Sequence, residues 1–245
     1  MSFYRVTFNS KYKFVTVHNY GCVFRCPTCS YKLRSGANGR PGHVFPKPKR
    51  FLNAEQIMLV LKKVNFKTLY FMGGEPTITP ELEKLLHFGK TVLGVKTVLG
   101  HCNGWKLNLS NLDSANVGLK AWDPKLHLAF TGKPKQLIFN NFKDAFYTGI
   151  ELKANVVFIP GLIDLSEIDA IAKWISSLSP DIPLHIMGYI PVPGQPYQRP
   201  SAEQMAKAVS ACRAYLTNVN MSHLTPEQAL NLNKTDNRFF VQEIT

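Results

Sequence analysis

Three cysteines fall close together, Cys22, Cys26 and Cys29, in the pattern C-x3-C-x2-C. Thiolates are the usual ligands of iron–sulfur clusters, and three of them on one tight loop can hold three irons of a cubane. The fourth iron then lacks a protein ligand and is open to a small molecule. Zinc is the competing metal. A structural zinc site wants four ligands, and His18 or His43 could supply one, but a second C-x2-C or an H-x3-5-H pair is missing. The remaining reading leaves the thiols unliganded, which would set three oxidation-prone groups on a glycine-flanked loop. The other two cysteines, Cys102 and Cys212, bring the count to five. An odd number with this clustering suits metal or redox work in a reducing compartment better than a disulfide framework.

Further residues with chemical potential stand at the ends of apolar runs. Gly73, Gly74 and Glu75 follow Met72 and precede Pro76. Two glycines let backbone approach a ligand closely, and strand-end carbonyls can accept from an ammonium. Asn103 follows His101 and Cys102, and Lys120 follows Gly118 and Leu119. A lysine among apolar neighbours can face a carboxylate. Tyr189 and Ile190 close another run and offer a flat, apolar edge. Arg25, His43 and Arg199 are candidate contacts for an anionic substrate, although each residue type is more often simply exposed.

The elements that must position these residues alternate β-like and helix-like. Strands are expected at 13–19, Thr68–Met72, 95–101, 116–121, 151–159 and 184–190. Helices are expected at 54–64, from Thr79-Pro80-Glu81 onward, and at 135–148, 166–177 and 201–216. Asn53 with Gln56 has the form of a capping box. Strands separated by helices argue for parallel βαβ units, and near-continuous apolar strands argue for burial on both faces. The expected fold is α/β, a partial (β/α)6 TIM-like barrel with parallel strands. Its chemistry should gather on the loops after the strands, where the residues above fall. Two long irregular loops, 34–50 and 191–200, are the remaining candidates for function. One domain over 1–245 is expected, with a weakly patterned tail from about 218 to 245.

The chain has 245 residues, of which 45% are hydrophobic, enough for one sizeable core. No run approaches the roughly 20 apolar residues of a membrane helix. The first residues carry no apolar signal core, so a cytoplasmic protein is expected. The net charge of +13 suggests an acidic partner, whether protein, phosphorylated substrate or nucleic acid. No basic run interleaved with aromatics marks a nucleic-acid track.

Taken together, C-x3-C-x2-C and the later G-G-E-P resemble the radical S-adenosylmethionine (SAM) superfamily. The resemblance runs from about residue 15 to 216. Within the superfamily, the segments at His101-Cys102-Asn103-Gly104 and Val117-Gly118-Leu119-Lys120 resemble the D-T-N-G and D-L-K segments of glycyl-radical-enzyme activases of the pyruvate formate-lyase activase type. Pro160-Gly161 suits that branch as well. The resemblance implies a [4Fe-4S] cluster on Cys22, Cys26 and Cys29. It also implies SAM chelated at the open iron and cleaved reductively to a 5′-deoxyadenosyl radical that takes hydrogen from a substrate. It assigns Gly73, Gly74 and Glu75 to the methionine amino group, Lys120 to the cofactor carboxylate, Asn103 to a polar contact, and Tyr189 and Ile190 to the adenine. This chain departs from the pattern at Thr28, where an aromatic residue usually precedes the third cysteine. It departs again at His101 and Gly118, where acids in the activases help bind a cation, which puts that cation site in doubt. Cys102 is expected to be a core residue.

An external electron donor such as flavodoxin or ferredoxin is implied, both being acidic proteins. Three functions follow: an activase abstracting hydrogen from a glycine of a partner enzyme; a radical enzyme acting on a small molecule, a nucleotide or RNA; and a zinc or iron–sulfur binding module without catalysis.

Overall fold

The sheet is built from nine strands, β1 (Phe3–Asn9), β2 (Phe14–Asn19), β3 (Thr68–Met72), β4 (Lys96–Cys102), β5 (Ser114–Gly118), β6 (Glu151–Phe158), β7 (Leu184–Gly188), β8 (Val219–Ser222) and β9 (Gln242–Glu243). They belong to a computed structural model that describes residues 2–245. The spatial order is β8-β7-β6-β5-β4-β3-β2-β1-β9. From β2 to β8 each strand lies parallel to its neighbour. The six predicted strands are β2 to β7, and the expected parallel α/β layout stands. The sheet has two free edges and curls, so that the ends of β4 to β7 meet the cysteine loop around one cavity.

The helices cover the outside. Ile57 and Leu61, Phe139 and Phe142, Ile171 and Ile175, and Met205 and Cys212 turn inward from four of them and are buried. They pack on outward strand residues such as Val15, Val17, Leu69, Phe71, Val156 and Ile186. Burying each such side chain contributes about 1.5–3 kcal/mol. The Asn53–Gln56 capping box is present at the start of the helix Ala54–Leu61. A second capping box, Ser201 with Gln204, opens Ala202–Arg213.

Several expectations are corrected. The strands are not apolar on both faces. On β5, β6 and β7 the lumen side carries Asn116, Lys153, Asn155 and His185, so that half of the barrel interior is polar. Strand β1, antiparallel to β2, has alternating apolar residues that a search for continuous apolar runs passes over. The helix expected from Thr79 begins instead at Leu82 and runs to His87. The Thr79 hydroxyl donates to Asn19 Oδ1 (2.8 Å), and no side-chain cap bond is made at the start of this helix. A helix at Pro124–Thr131, capped by Asp123 and ended by left-handed Gly132, was not anticipated.

The tail is ordered into the fold. Strand β8 extends the sheet beyond β7, and β9 pairs with β1 at the opposite edge. The residues between them must therefore cross the open side of the barrel. Arg34 donates to the Leu230 carbonyl (3.3 Å), and Asn9 Nδ2 to the carbonyls of Asn237 (2.8 Å), Arg238 and Phe240 along that route. No helix among the described residues is long and apolar enough to cross a membrane.

Candidate active site

The loop carrying the cysteines is fixed by backbone contacts before any side chain is considered. Gly21 N donates to the Gly42 carbonyl (2.8 Å), and the Gly21 carbonyl accepts from Glu75 N (2.8 Å). Three segments thus meet at van der Waals distance: the cysteine loop, the 34–50 loop and the turn after β3. Glycine is required at two of these positions. A Cβ on Gly74 (φ +51) would fall on the Gly21 carbonyl oxygen, and one on Gly42 (φ +71) would lie 2.5 Å from the Cβ of Cys22. Farther along, Arg25 N donates to the Thr131 carbonyl (2.9 Å), and buried Phe24 sets its ring edge-on to His127 (6.0 Å).

Cys22, Cys26 and Cys29 then line one cavity of about 380 Å³ together with Gly74, Asn103, Lys120, Tyr189 and Ile190. Of the residues singled out from the sequence, these are brought together. Gly73 and Glu75 stand behind the wall. Glu75 is fully buried. It accepts from Thr77 N (3.1 Å), Thr77 Oγ1 (2.7 Å) and Asn103 N (2.5 Å), tying the turn after β3 to the end of β4. Burial raises its pKa, and those hydrogen bonds oppose the rise. Its observed contacts are therefore structural.

Asn103 donates from Nδ2 to Cys22 Sγ (3.5 Å) and accepts from Trp105 N (3.0 Å). Phe24 N also donates to Cys22 Sγ (3.3 Å). Tyr189 is buried, and its hydroxyl accepts from Val192 N (3.2 Å). Cys102 is buried, as expected of a core residue, although it also touches the cavity.

Burial pushes the thiols up, Cys22 to about 11 and Cys26 to about 12. Free, they are protonated, so a bound metal must itself supply the drive to deprotonate them. Nearby Lys120 pulls both the other way. His101 is exposed to the cavity. Desolvation by the surrounding protein, then the charges of Lys120 and His185, lower its pKa to about 4, so the imidazole is neutral at pH 7.

The donor set can be tested against the competing metals. Among the described residues, no three His, Cys, Asp or Glu side chains converge to hold a single metal ion. The three thiols share one cavity, a donor set of the kind that holds iron–sulfur clusters, whereas a structural zinc wants a fourth ligand. The proposed fourth zinc ligands are also engaged elsewhere. His18 Nε2 bonds to Thr7 Oγ1 (2.9 Å), and His43 bonds the Pro41 carbonyl (2.8 Å) and packs on Tyr20.

The other basic candidates separate from the cavity. The Arg199 guanidinium donates to the carbonyls of Leu224 (3.1 Å) and His223 (2.5 Å), and the Arg25 side chain lies over Gly132. Sequence reasoning missed Tyr31, whose hydroxyl accepts from Gly74 N (3.1 Å) on the cavity wall. It missed Asn19, fully buried, which donates to the carbonyls of Gly21 (3.1 Å) and Glu75 (3.0 Å). It also missed Asn155, which lines the cavity between Lys120 and Val157. A lone amide inside an apolar strand was the available signal for Asn155, and a polar residue just before Gly21 was the signal for Asn19.

The Radical SAM superfamily model matches residues 16–175. A protein of Methanocaldococcus jannaschii provisionally named as a glycyl-radical enzyme activating enzyme is 27% identical over 85% of this chain and 80% of its own length. A GTP 3′,8-cyclase of Vibrio parahaemolyticus is 27% identical over 63% of this chain. The match spans 47% of the cyclase, less than half of its length. Among solved structures, a radical SAM methyltransferase from Sphaerobacter thermophilus superposes with a TM-score of 0.63. It is 15% identical, and the match covers 89% of this chain and 68% of that one. A domain of a pyruvate-formate lyase-activating enzyme from Bacteroides vulgatus superposes with a TM-score of 0.52. It is 20% identical, and the match covers 64% and 99%.

Proposed function

Because the chain belongs to the radical SAM superfamily, whose cofactors are a [4Fe-4S] cluster and SAM, we propose that Cys22, Cys26 and Cys29 are the cluster ligands. Held there, the reduced cluster and SAM would supply reductive cleavage of the cofactor and a 5′-deoxyadenosyl radical able to take hydrogen from a substrate. The protein's share is binding, orientation and exclusion of water. Gly74 leaves the strand-end backbone open to the methionine amino group. Lys120 presents an ammonium to the carboxylate. Tyr189 and Ile190 offer apolar surface to the adenine, and Asn103 steadies the Cys22 sulfur through its 3.5 Å hydrogen bond. The observation that carries this reading is the shared cavity: three thiols, Gly74 and Lys120 line one space at the strand ends.

The test is anaerobic reconstitution with iron and sulfide, followed by reduction and addition of SAM. 5′-Deoxyadenosine should form, and Cys26→Ala should abolish it. A fully active Cys26→Ala protein would remove the ligand assignment.

The finer role as an activase draws on the M. jannaschii relative, whose name refers to a glycyl-radical enzyme. On that reading the hydrogen comes from a glycine of a partner enzyme. A second reading, a small-molecule substrate, is favoured by the polar side chains inside the barrel. Either way the electron comes from an external donor, for which an acidic flavodoxin or ferredoxin fits the +13 charge.

A further inference from the structure

Below the cofactor cavity, the inward faces of β6 and β7 carry further polar side chains. Along β6 the inward positions run Lys153, Asn155, Val157, and along β7 they run His185, Met187. Successive inward residues on a strand stand about 6.5–7 Å apart. Asn155, Val157 and Met187 line the upper cavity. Lys153 and His185, with Asn116 and Asn220, line a second cavity of about 470 Å³. Asn155 of the upper lining and Asn116 of the lower one are joined by the bond from Asn155 Nδ2 to Asn116 Oδ1 (2.8 Å).

This lower chamber is polar where a barrel interior is ordinarily filled by branched aliphatic residues. It is also cationic. The carboxylate nearest Lys153 is that of Glu151 at 3.6 Å, and Lys96 holds the other oxygen of Glu151 at 2.5 Å. Two ammonium groups therefore share one acid. His185 bonds Ser222 Oγ (3.0 Å) on β8, and Asn116 and Asn220 add amides. The pocket opens to solvent, with the Lys153 side chain and Asn220 exposed, so that an anion can reach these groups from outside. Both volumes fall within the range of small-ligand sites.

We infer that the lower chamber binds the substrate, and that the substrate is a small anionic molecule whose phosphate or carboxylate group lies against Lys153 and His185. Its remaining part points up the lumen toward the cofactor cavity. This rests on the radical chemistry proposed above and narrows it to a substrate class.

The experiment is calorimetric titration of the anaerobically reconstituted holoprotein, with SAM present, using inorganic phosphate, pyrophosphate and citrate as separate probes. Saturable binding of about one equivalent is expected. Lys153→Met should weaken it at least tenfold, Lys153→Arg should restore it, and Lys125→Met, an exposed lysine outside the barrel, should leave it unchanged. Should Lys153→Met fail to fold, His185→Phe, which fills the chamber, makes the same comparison. Preference for the phosphates or for citrate identifies the anionic group. No saturable binding, binding indifferent to Lys153, or equal loss in Lys125→Met each overturns the inference. Formation of 5′-deoxyadenosine without anion binding overturns the chamber alone. Anion binding without 5′-deoxyadenosine overturns the radical reading, and the substrate role with it.

Discussion

Lys120 folds over the one position on β5 that has no side chain. A Cβ on Gly118 would sit 2.6 Å from Lys120 Nζ and 3.2 Å from Asn155 Oδ1. Gly118 is not among the residues with positive φ, so alanine suits the backbone there, and the flexible end of Lys120 is what must move. Gly118→Ala should therefore fold normally yet bind SAM roughly tenfold more weakly. That corresponds to about 1.5 kcal/mol, the scale of a hydrogen bond to a charged group. Equilibrium dialysis of SAM, with a thermal midpoint as control, checks this. Unchanged affinity would mean that Lys120 does not hold the carboxylate.

At the scale of elements, the cysteine loop owes its shape to partners distant in sequence. It is clamped by the turn after β3, by the 34–50 loop and by the end of the helix Pro124–Thr131. Asn19, at the end of β2, ties the cysteine loop at Gly21 to the turn after β3 at Glu75 through its buried amide. The interlock predicts that Gly74→Ala damages the cluster loop while leaving the barrel intact. The added methyl would strike the Gly21 carbonyl, in a left-handed conformation already unfavourable by about 1 kcal/mol for a non-glycine residue. Reconstituted Gly74→Ala protein should carry well under half the iron of the parent, with an unchanged far-ultraviolet circular dichroism spectrum. Full iron loading would show that the loop does not depend on that contact.

On the whole molecule, charge is distributed unevenly. Residues 1–54 contain ten Lys and Arg and no Asp or Glu. Arg34, Arg40, Lys47, Lys49 and Arg50 are exposed around the loop whose Pro41 and Gly42 line the cavity. A cationic rim beside the cluster loop should steer an acidic donor, and steering of this kind is screened beyond about 8 Å at 0.15 M salt. With reduced flavodoxin as donor, 5′-deoxyadenosine formation should fall several-fold between 0.05 and 0.5 M salt (about 14 and 4 Å screening lengths). With dithionite it should change far less. A Lys47→Glu, Lys49→Glu, Arg50→Glu protein should lose the flavodoxin-driven rate selectively, and equal salt dependence for both donors would contradict the steering.

Local chemistry was legible in the chain itself. The three thiols, the glycine pair after an apolar run, and the alternation of strands and helices follow from residue type and spacing, because coordination, turns and periodicity act over a few residues. Lys120 could be singled out by its apolar neighbours. Tertiary structure alone decided how these parts are used. Glu75 turned from the cavity to brace two strand ends, and Thr79 left its capping position to bond Asn19, because partners 28 and 60 residues away offered better-placed groups. The polar lumen was hidden because Asn155 and Lys153 stand in strands whose alternate residues are apolar, and only the curl of the sheet sets which side faces inward. The tail had too little periodicity to read. Its order comes from edge pairing with β1 and β7, long-range contacts that no local pattern encodes.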